Sequence, residues 1–267
     1  MLTRIVSALV ALAIVLPPVL YGGFWGISLL MIPVMLLCQY EFAGLLRKTP
    51  RHGILALEML TGLALYWAVL LMPEHAYLVA GVSVMLICLV HLVSFTEIEQ
   101  AGPQLMGSLT SLIYPPLLFS TVPHIRMMDH GLYWLFFMMI CTWGGDTGAY
   151  FAGRRFGKRK LAPSVSPGKS VEGVIGGALA VTTLIIGMKL TVFPELTWLH
   201  CLVLAPLTDL AGVVGDLVES LYKRSAGVKD SGTIFPGHGG MLDRLDSLLF
   251  TAPTVLLWLK VEHWLGM

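Results

Sequence analysis

The sequence predicts an all-α fold: a polytopic transmembrane helical bundle of about nine spans, with its amino end in the cytoplasm. Three observations carry this. Of 267 residues, 56% are hydrophobic and only 12% are charged, roughly half the charged share of a soluble domain. The apolar residues come in repeated runs long enough to cross a hydrocarbon core of about 30 Å as helices. In lipid a chain must satisfy its own backbone hydrogen bonds, and helices do so within one segment. Finally, Lys and Arg gather at alternate connections between the runs, the pattern of the positive-inside rule.

The runs follow in order. The first, 4–20, has Arg4 ahead of an apolar core but no small-x-small cleavage site. Pro17, Pro18, Tyr21 and Gly22 read instead as a tight link to the second span, 24–41. Spans 53–72 and 76–95 follow, divided near Pro73. The fifth, 104–122, is the weakest: Gly102, Pro103, Gly107, Pro115 and Pro116 interrupt it, so a kinked or partly interfacial helix is expected. Spans 131–151, 173–193, 197–219 and 246–264 complete the set. Arg4, then Arg47, Lys48 and Arg51, then Arg154, Arg155, Lys158, Arg159 and Lys160, and last Lys223, Arg224, Lys229 and Arg244 all fall on one face. The opposite connections carry only Arg126. That face is expected to be cytoplasmic and the location to be the inner (plasma) membrane.

Two regions follow from this layout. Residues 1–130 hold the amino-terminal spans and no comparable polar motif. Residues 131–267 hold the remaining spans and two cytoplasmic loops, 152–172 and 220–245, too short for a soluble core of their own. The chemistry is expected in this second region. The net charge of +1 gives no reason to expect a nucleic-acid partner. Cys38, Cys88, Cys141 and Cys201 lie in apolar runs without metal-ligand spacing and read as small buried hydrophobes.

Segment 220–246 is dense in charge and glycine. Just before it, Asp216 stands seven residues after Asp209 and three before Glu219, so the three acids share a helix face. Carboxylates in an apolar helix are costly unless they hold an ion or substrate; Glu219 reads equally well as a partner for Lys223. Asp243 and Asp246, three apart, offer two more carboxylates. Asp216, Asp243 and Asp246 are thus the expected ligands for magnesium, which favours carboxylate and phosphate oxygen. Pro236-Gly-His-Gly-Gly240 permits close approach of backbone to phosphate. His238 suits a phosphate donor or proton relay. Lys223, Arg224, Lys229 and Arg244 suit neutralisation of phosphate, while Asp230 suits either metal binding or a loop charge pair. In the earlier loop, Asp146, Ser166, Lys169, Ser170 and Glu172 make a candidate substrate surface. Gly168-Lys169-Ser170 imitates the end of a P-loop, but Pro163 stands where that motif needs glycine, which excludes that ATPase class.

The pattern Ser220-x-x-Lys223-Arg224-x4-Lys229-Asp230, then Pro236-x-His238-Gly239-Gly240 and Asp243-Arg244-x-Asp246 resembles the signature of the phosphatidate cytidylyltransferases, also called CDP-diacylglycerol synthases. Asp146-Thr-Gly-Ala-Tyr150 and Ser166-Pro-x-Lys169-Ser170-x-Glu172-Gly173 look like the same family. Tyr222 departs from the usual aliphatic residue or Phe, and Ser170 from the common Thr. The resemblance implies CTP and phosphatidate as substrates, CDP-diacylglycerol and pyrophosphate as products, Mg2+ (two ions) as cofactor, and a homodimer. It implies catalytic roles for Lys223, Arg224, Lys229, Asp230, His238 and Arg244, and substrate contacts from Ser220, Gly239 and Gly240. A CTP-dependent lipid kinase would need similar residues but would release CDP. The tandem motif of the CDP-alcohol phosphotransferases is absent. A transporter would place Asp209 and Asp216 along a path.

Overall fold

The computed structural model describes residues 13–47, 52–234 and 239–266. The architecture is a bundle of long helices. Helix α1 is described over 13–21, followed by α2 (Gly23–Leu46), α3 (His52–Leu71), a 3-10 turn (Pro73–His75), α4 (Ala76–Ser94), α5 (Ile98–Met127) and α6 (Gly131–Phe156). A two-stranded antiparallel hairpin, β1 (Lys160–Ala162) and β2 (Ser166–Ser170), leads into α7 (Val171–Thr191). A π turn (His200–Leu204) opens α8 (Ala205–Ser225); short α9 (Leu242–Leu245) and α10 (Leu248–Leu265) follow. Six of these segments are long and apolar enough to cross a membrane, those based on α2, α3, α4, α5, α7 and α8. The part of the expected first span before residue 13 lies outside the described residues.

The structure refines two local expectations. The fifth segment is one continuous helix of 30 residues despite Pro103, Pro115, Pro116 and Pro123. A proline inside a helix strands the carbonyl four residues before it. The Ser111 carbonyl, which loses its donor at Pro115, accepts instead from Gln39 Nε2 of α2 at 3.2 Å. A neighbouring side chain thus replaces the lost bond, as membrane bundles allow. The expected loop 220–245 also begins later, because α8 runs on to Ser225. Ser220, Lys223 and Arg224 are helical, and Tyr222 packs edge-on against Phe42 of α2 at 4.8 Å.

The helices alternate in direction, which brings many polar ends together. At one end Arg47 of α2 pairs with Glu58 of α3 at 2.5 Å. Arg47 also donates to Ser108 of α5 at 3.4 Å, and Ser108 meets His91 of α4 at 2.7 Å. The same end gathers the hairpin, the start of α7, the end of α8 and the α9–α10 junction, joined by the contacts described below. At the opposite end His200 pairs with Glu262 of α10 at 2.8 Å and stands edge-on to Trp134 of α6. Between them lies one apolar cluster that runs from Val19 and Met35 through Phe119 and Cys141 to Leu259. Cys38, Cys141 and Cys201 are buried, Cys88 is partly buried, and all four are free.

Candidate active site

Helix α8 supplies the centre. Asp216 and Glu219 sit three residues apart on one face, and the next turn places Ser220 and Lys223 beside them. Ser220 Oγ donates to Asp216 Oδ1 at 3.1 Å. Opposite this face, α9 ends and α10 begins, with Asp246 between them. Gly215 allows the two elements to meet: a Cβ there would stand 2.5 Å from the Asp246 carbonyl oxygen and 3.0 Å from the Phe250 ring. As a result, carboxylate oxygens of Asp216, Glu219 and Asp246 all lie within 4.8 Å of one another. Glu219 is buried. Lys223 holds one of its oxygens, while Oε1 is buried without a hydrogen-bond partner.

An all-oxygen donor set with one unpartnered buried oxygen fits a hard divalent cation such as magnesium. Of the three acids expected from the sequence, Asp216 and Asp246 come together, and Glu219 joins them. Asp243 is otherwise engaged. Its Oδ1 receives Lys223 Nζ at 2.6 Å. Its Oδ2 receives Ser231 N and Gly240 N at 2.8 Å each and shares the one Ser231 hydroxyl proton, with Oγ 2.9 Å away, with Glu41. Burial would raise this carboxyl, but those donors outweigh it and hold it down to about 2. Lys223 therefore stands between Glu219 and Asp243 and joins the acid group to the returning chain.

The hairpin closes a second side. Lys169 on β2 reaches α8, with Nζ 2.8 Å from Asp216 Oδ2 and 3.4 Å from the Val213 carbonyl. Ser170 caps α7 by accepting from Gly173 N at 3.1 Å. Glu172 accepts from Lys158 N at 3.0 Å and from Arg159 N and Nε at 3.1 Å, which fixes the entry to the hairpin. Arg224 Nε donates to Val165 O at 3.3 Å and ties the end of α8 to the hairpin turn. A cleft of about 440 Å³ opens here, lined by Asp146, Tyr150, Arg154, Lys169, Ser170 and Val213 among others. Carboxylate, ammonium and guanidinium groups thus converge on one cavity of ligand size.

The remaining expected residues are less drawn in. Ser166 is half-buried in β2, and Lys229 and Asp230 are exposed beyond α8. Arg244 is exposed on α9. Gly239 takes a positive φ of 80°, and Gly240 is buried. His238 lies outside the described residues. Asp209 is buried with its carboxylate against Gly145 and Gly177 and is not a member of the acid group. Sequence reasoning missed Glu41. This buried residue of α2 accepts from Ser231 Oγ at 3.1 Å, Met241 N at 3.0 Å and Leu242 N at 2.8 Å. One local signal was available: an acid followed by Phe42 and Ala43 within an apolar run.

Fold and site together define a multi-pass membrane protein whose acids and lysines are concentrated at one end beside a polar cleft, an arrangement suited to phosphate chemistry. A profile described as the cytidylyltransferase family matches residues 2–261, and the chain belongs to that family. Similar proteins include the phosphatidate cytidylyltransferase of Bacillus subtilis strain 168, 37% identical over 78% of this chain and 80% of its own length. That of Staphylococcus saprophyticus is 33% identical over 95% of this chain and 96% of its own. That of Haemophilus influenzae is 49% identical over a shorter stretch, 46% of this chain and 44% of its own.

Proposed function

We propose that this chain transfers the cytidylyl group of CTP to phosphatidate, giving CDP-diacylglycerol and pyrophosphate for phospholipid synthesis, in a magnesium-dependent reaction. Two of the relatives share this name across most of both chains. The observation that carries the reading is the convergence of Asp216, Glu219 and Asp246, with Lys169 reaching Asp216 from the edge of the cleft. Asp216, Asp246 and Glu219 would hold the ion. When bound, it supplies positive charge where the two phosphate-bearing substrates meet.

The reaction joins a phosphate oxygen of phosphatidate to the α-phosphorus of CTP and breaks the bond from that phosphorus to the β-phosphate bridging oxygen. The electron pair leaves with pyrophosphate. The attacking oxygen is already anionic, so no strong base is needed; alignment and charge neutralisation are the main tasks. Lys169 and Arg154, which line the cleft, would bind phosphate there. Asp243 acts on the chain that carries Asp246, through Lys223 and Ser231, rather than on the ion. With nine spans and a cytoplasmic amino end, the basic connections face the cytoplasm. CTP would then enter from solution while the acyl chains of phosphatidate remain in the inner membrane.

The test is product identification with purified protein, labelled CTP, phosphatidate and magnesium. CDP-diacylglycerol and pyrophosphate are expected, with loss of turnover on chelation of the metal and recovery on its return. Release of CDP with phosphorylation of a lipid alcohol would replace this reading by that of a kinase.

A further inference from the structure

Glu41, an acid of the amino-terminal half, reaches the candidate site's returning chain. It is 3% exposed, within an apolar helix where an uncompensated carboxylate is expensive. The three donors that compensate it, Ser231 Oγ, Met241 N and Leu242 N, are all neutral and all belong to the segment that returns from α8 to α10. The fit leaves no spare room. A Cβ on Gly240 would collide with both Glu41 oxygens, and one on Gly232 with Oε1. Two glycines of the polar segment are therefore shaped around this carboxylate. Ser231 Oγ donates to Glu41 and also lies 2.9 Å from Asp243 Oδ2. Asp243 meets Lys223, and Lys223 meets Glu219.

We propose that Glu41 is a positioning residue for the reaction: it holds Ser231, Met241 and Leu242 against α2 so that Asp246 faces Asp216 and Glu219. The inference rests on the cytidylyltransferase reading for its kinetic consequence, but the geometry it assigns does not. The acid group is thus tied to the amino-terminal helices through this buried carboxylate as well as through the packing of Tyr222 on Phe42. A small displacement of aligned groups is enough to slow a positioned reaction by up to about 100-fold.

The experiment compares wild type, Glu41→Gln, Glu41→Ala and, as a structural control, Glu58→Gln, each purified as the full chain. Two quantities are read: turnover against magnesium and CTP concentration, and the rise in thermal midpoint on adding magnesium alone. Glu41→Ala is expected to lower kcat by roughly 10- to 100-fold, to raise the magnesium concentration for half-maximal rate several-fold, and to leave the KM for CTP near wild type. Its magnesium-dependent thermal shift should shrink. Glu41→Gln should fall between, because one oxygen still accepts while the amide N–H faces a donor. Glu58→Gln should unfold earlier yet keep the wild-type magnesium response. Wild-type magnesium dependence in Glu41→Ala, or the same changes in Glu58→Gln, would overturn the proposal. The thermal shift needs no turnover. A wild type that forms no CDP-diacylglycerol would therefore sink the functional reading, while the shift still decides the role of Glu41.

Discussion

Two polar clusters lie toward the same end of this molecule, and they differ in how their charges balance. In the amino-terminal one, a single Arg47 meets a single Glu58, with Ser108, His91 and Gln39 around them on four helices. Its charges cancel. In the carboxyl-terminal one, Asp216, Glu219 and Asp246 stand within 4.8 Å, and the ammonium groups in contact with them are Lys169 and Lys223. Lys223 is also shared with Asp243. Among the described contacts, carboxyl groups outnumber ammonium groups there. A balanced pair holds helices together, whereas an unbalanced cluster calls for a cation or a charged ligand. The difference teaches that burial of charge alone does not mark a site; the sign of what remains does.

The largest break in that comparison comes from removing one member of the unbalanced cluster. Asp246→Asn keeps the shape of the side chain but removes its charge and turns one acceptor into a donor. Turnover per folded molecule is expected to fall by roughly 1,000-fold, because charge stabilisation at phosphate is worth several kcal/mol. The protein should still insert and purify normally. Folded variant with near-normal rates would remove Asp246 from the site.

The balanced cluster should respond in the opposite way. Glu58→Gln leaves Arg47 buried and unpaired, which costs about 3 kcal/mol. A lower thermal midpoint in detergent is expected, with kcat per folded molecule close to wild type. A selective loss of turnover without loss of stability would show that the amino-terminal cluster belongs to the chemistry after all.

What the sequence made legible divides along the same line. The helices were readable because each is a local property: span 76–95 is seen as Ala76–Ser94, and 173–193 as Val171–Thr191. The pairing of Asp216 with Asp246 was suggested by density of charge and glycine in one segment. Three features were not readable. The unbroken α5 is supported by Gln39 of another helix, a partner that proline content alone does not reveal. The hairpin over 160–170 has a register anchored at Lys160 and Ser170 in a stretch that lacks alternation. Glu41 meets its partners across 190 residues or more of sequence. A carboxylate near the end of an apolar run reads as an interfacial anchor until the chain that folds over it is known. Asp243 shows the same limit: its spacing to Asp246 implies a shared task, and the donors it receives from Lys223, Ser231 and Gly240 come from residues that sequence spacing does not connect to it.

The smallest effect sharpens the distinction between Asp243 and the acid group. Its carboxyl is held down to about 2 by Lys223, Gly240 and Ser231 against the opposing effect of burial, below the value near 4 of an unfolded aspartate. A carboxylate with a lowered folded value stabilises the fold fully above the unfolded value, and that contribution disappears as pH falls through the folded one. Asp243→Asn should therefore be less stable than wild type by roughly 2 kcal/mol at neutral pH. The gap should hold from pH 8 down to about 4 and narrow only below that. Thermal unfolding of both proteins across this range measures it. If the gap instead closed between pH 8 and 6, Asp243 would titrate like a member of the crowded acid group, and its assignment to the loop would be wrong.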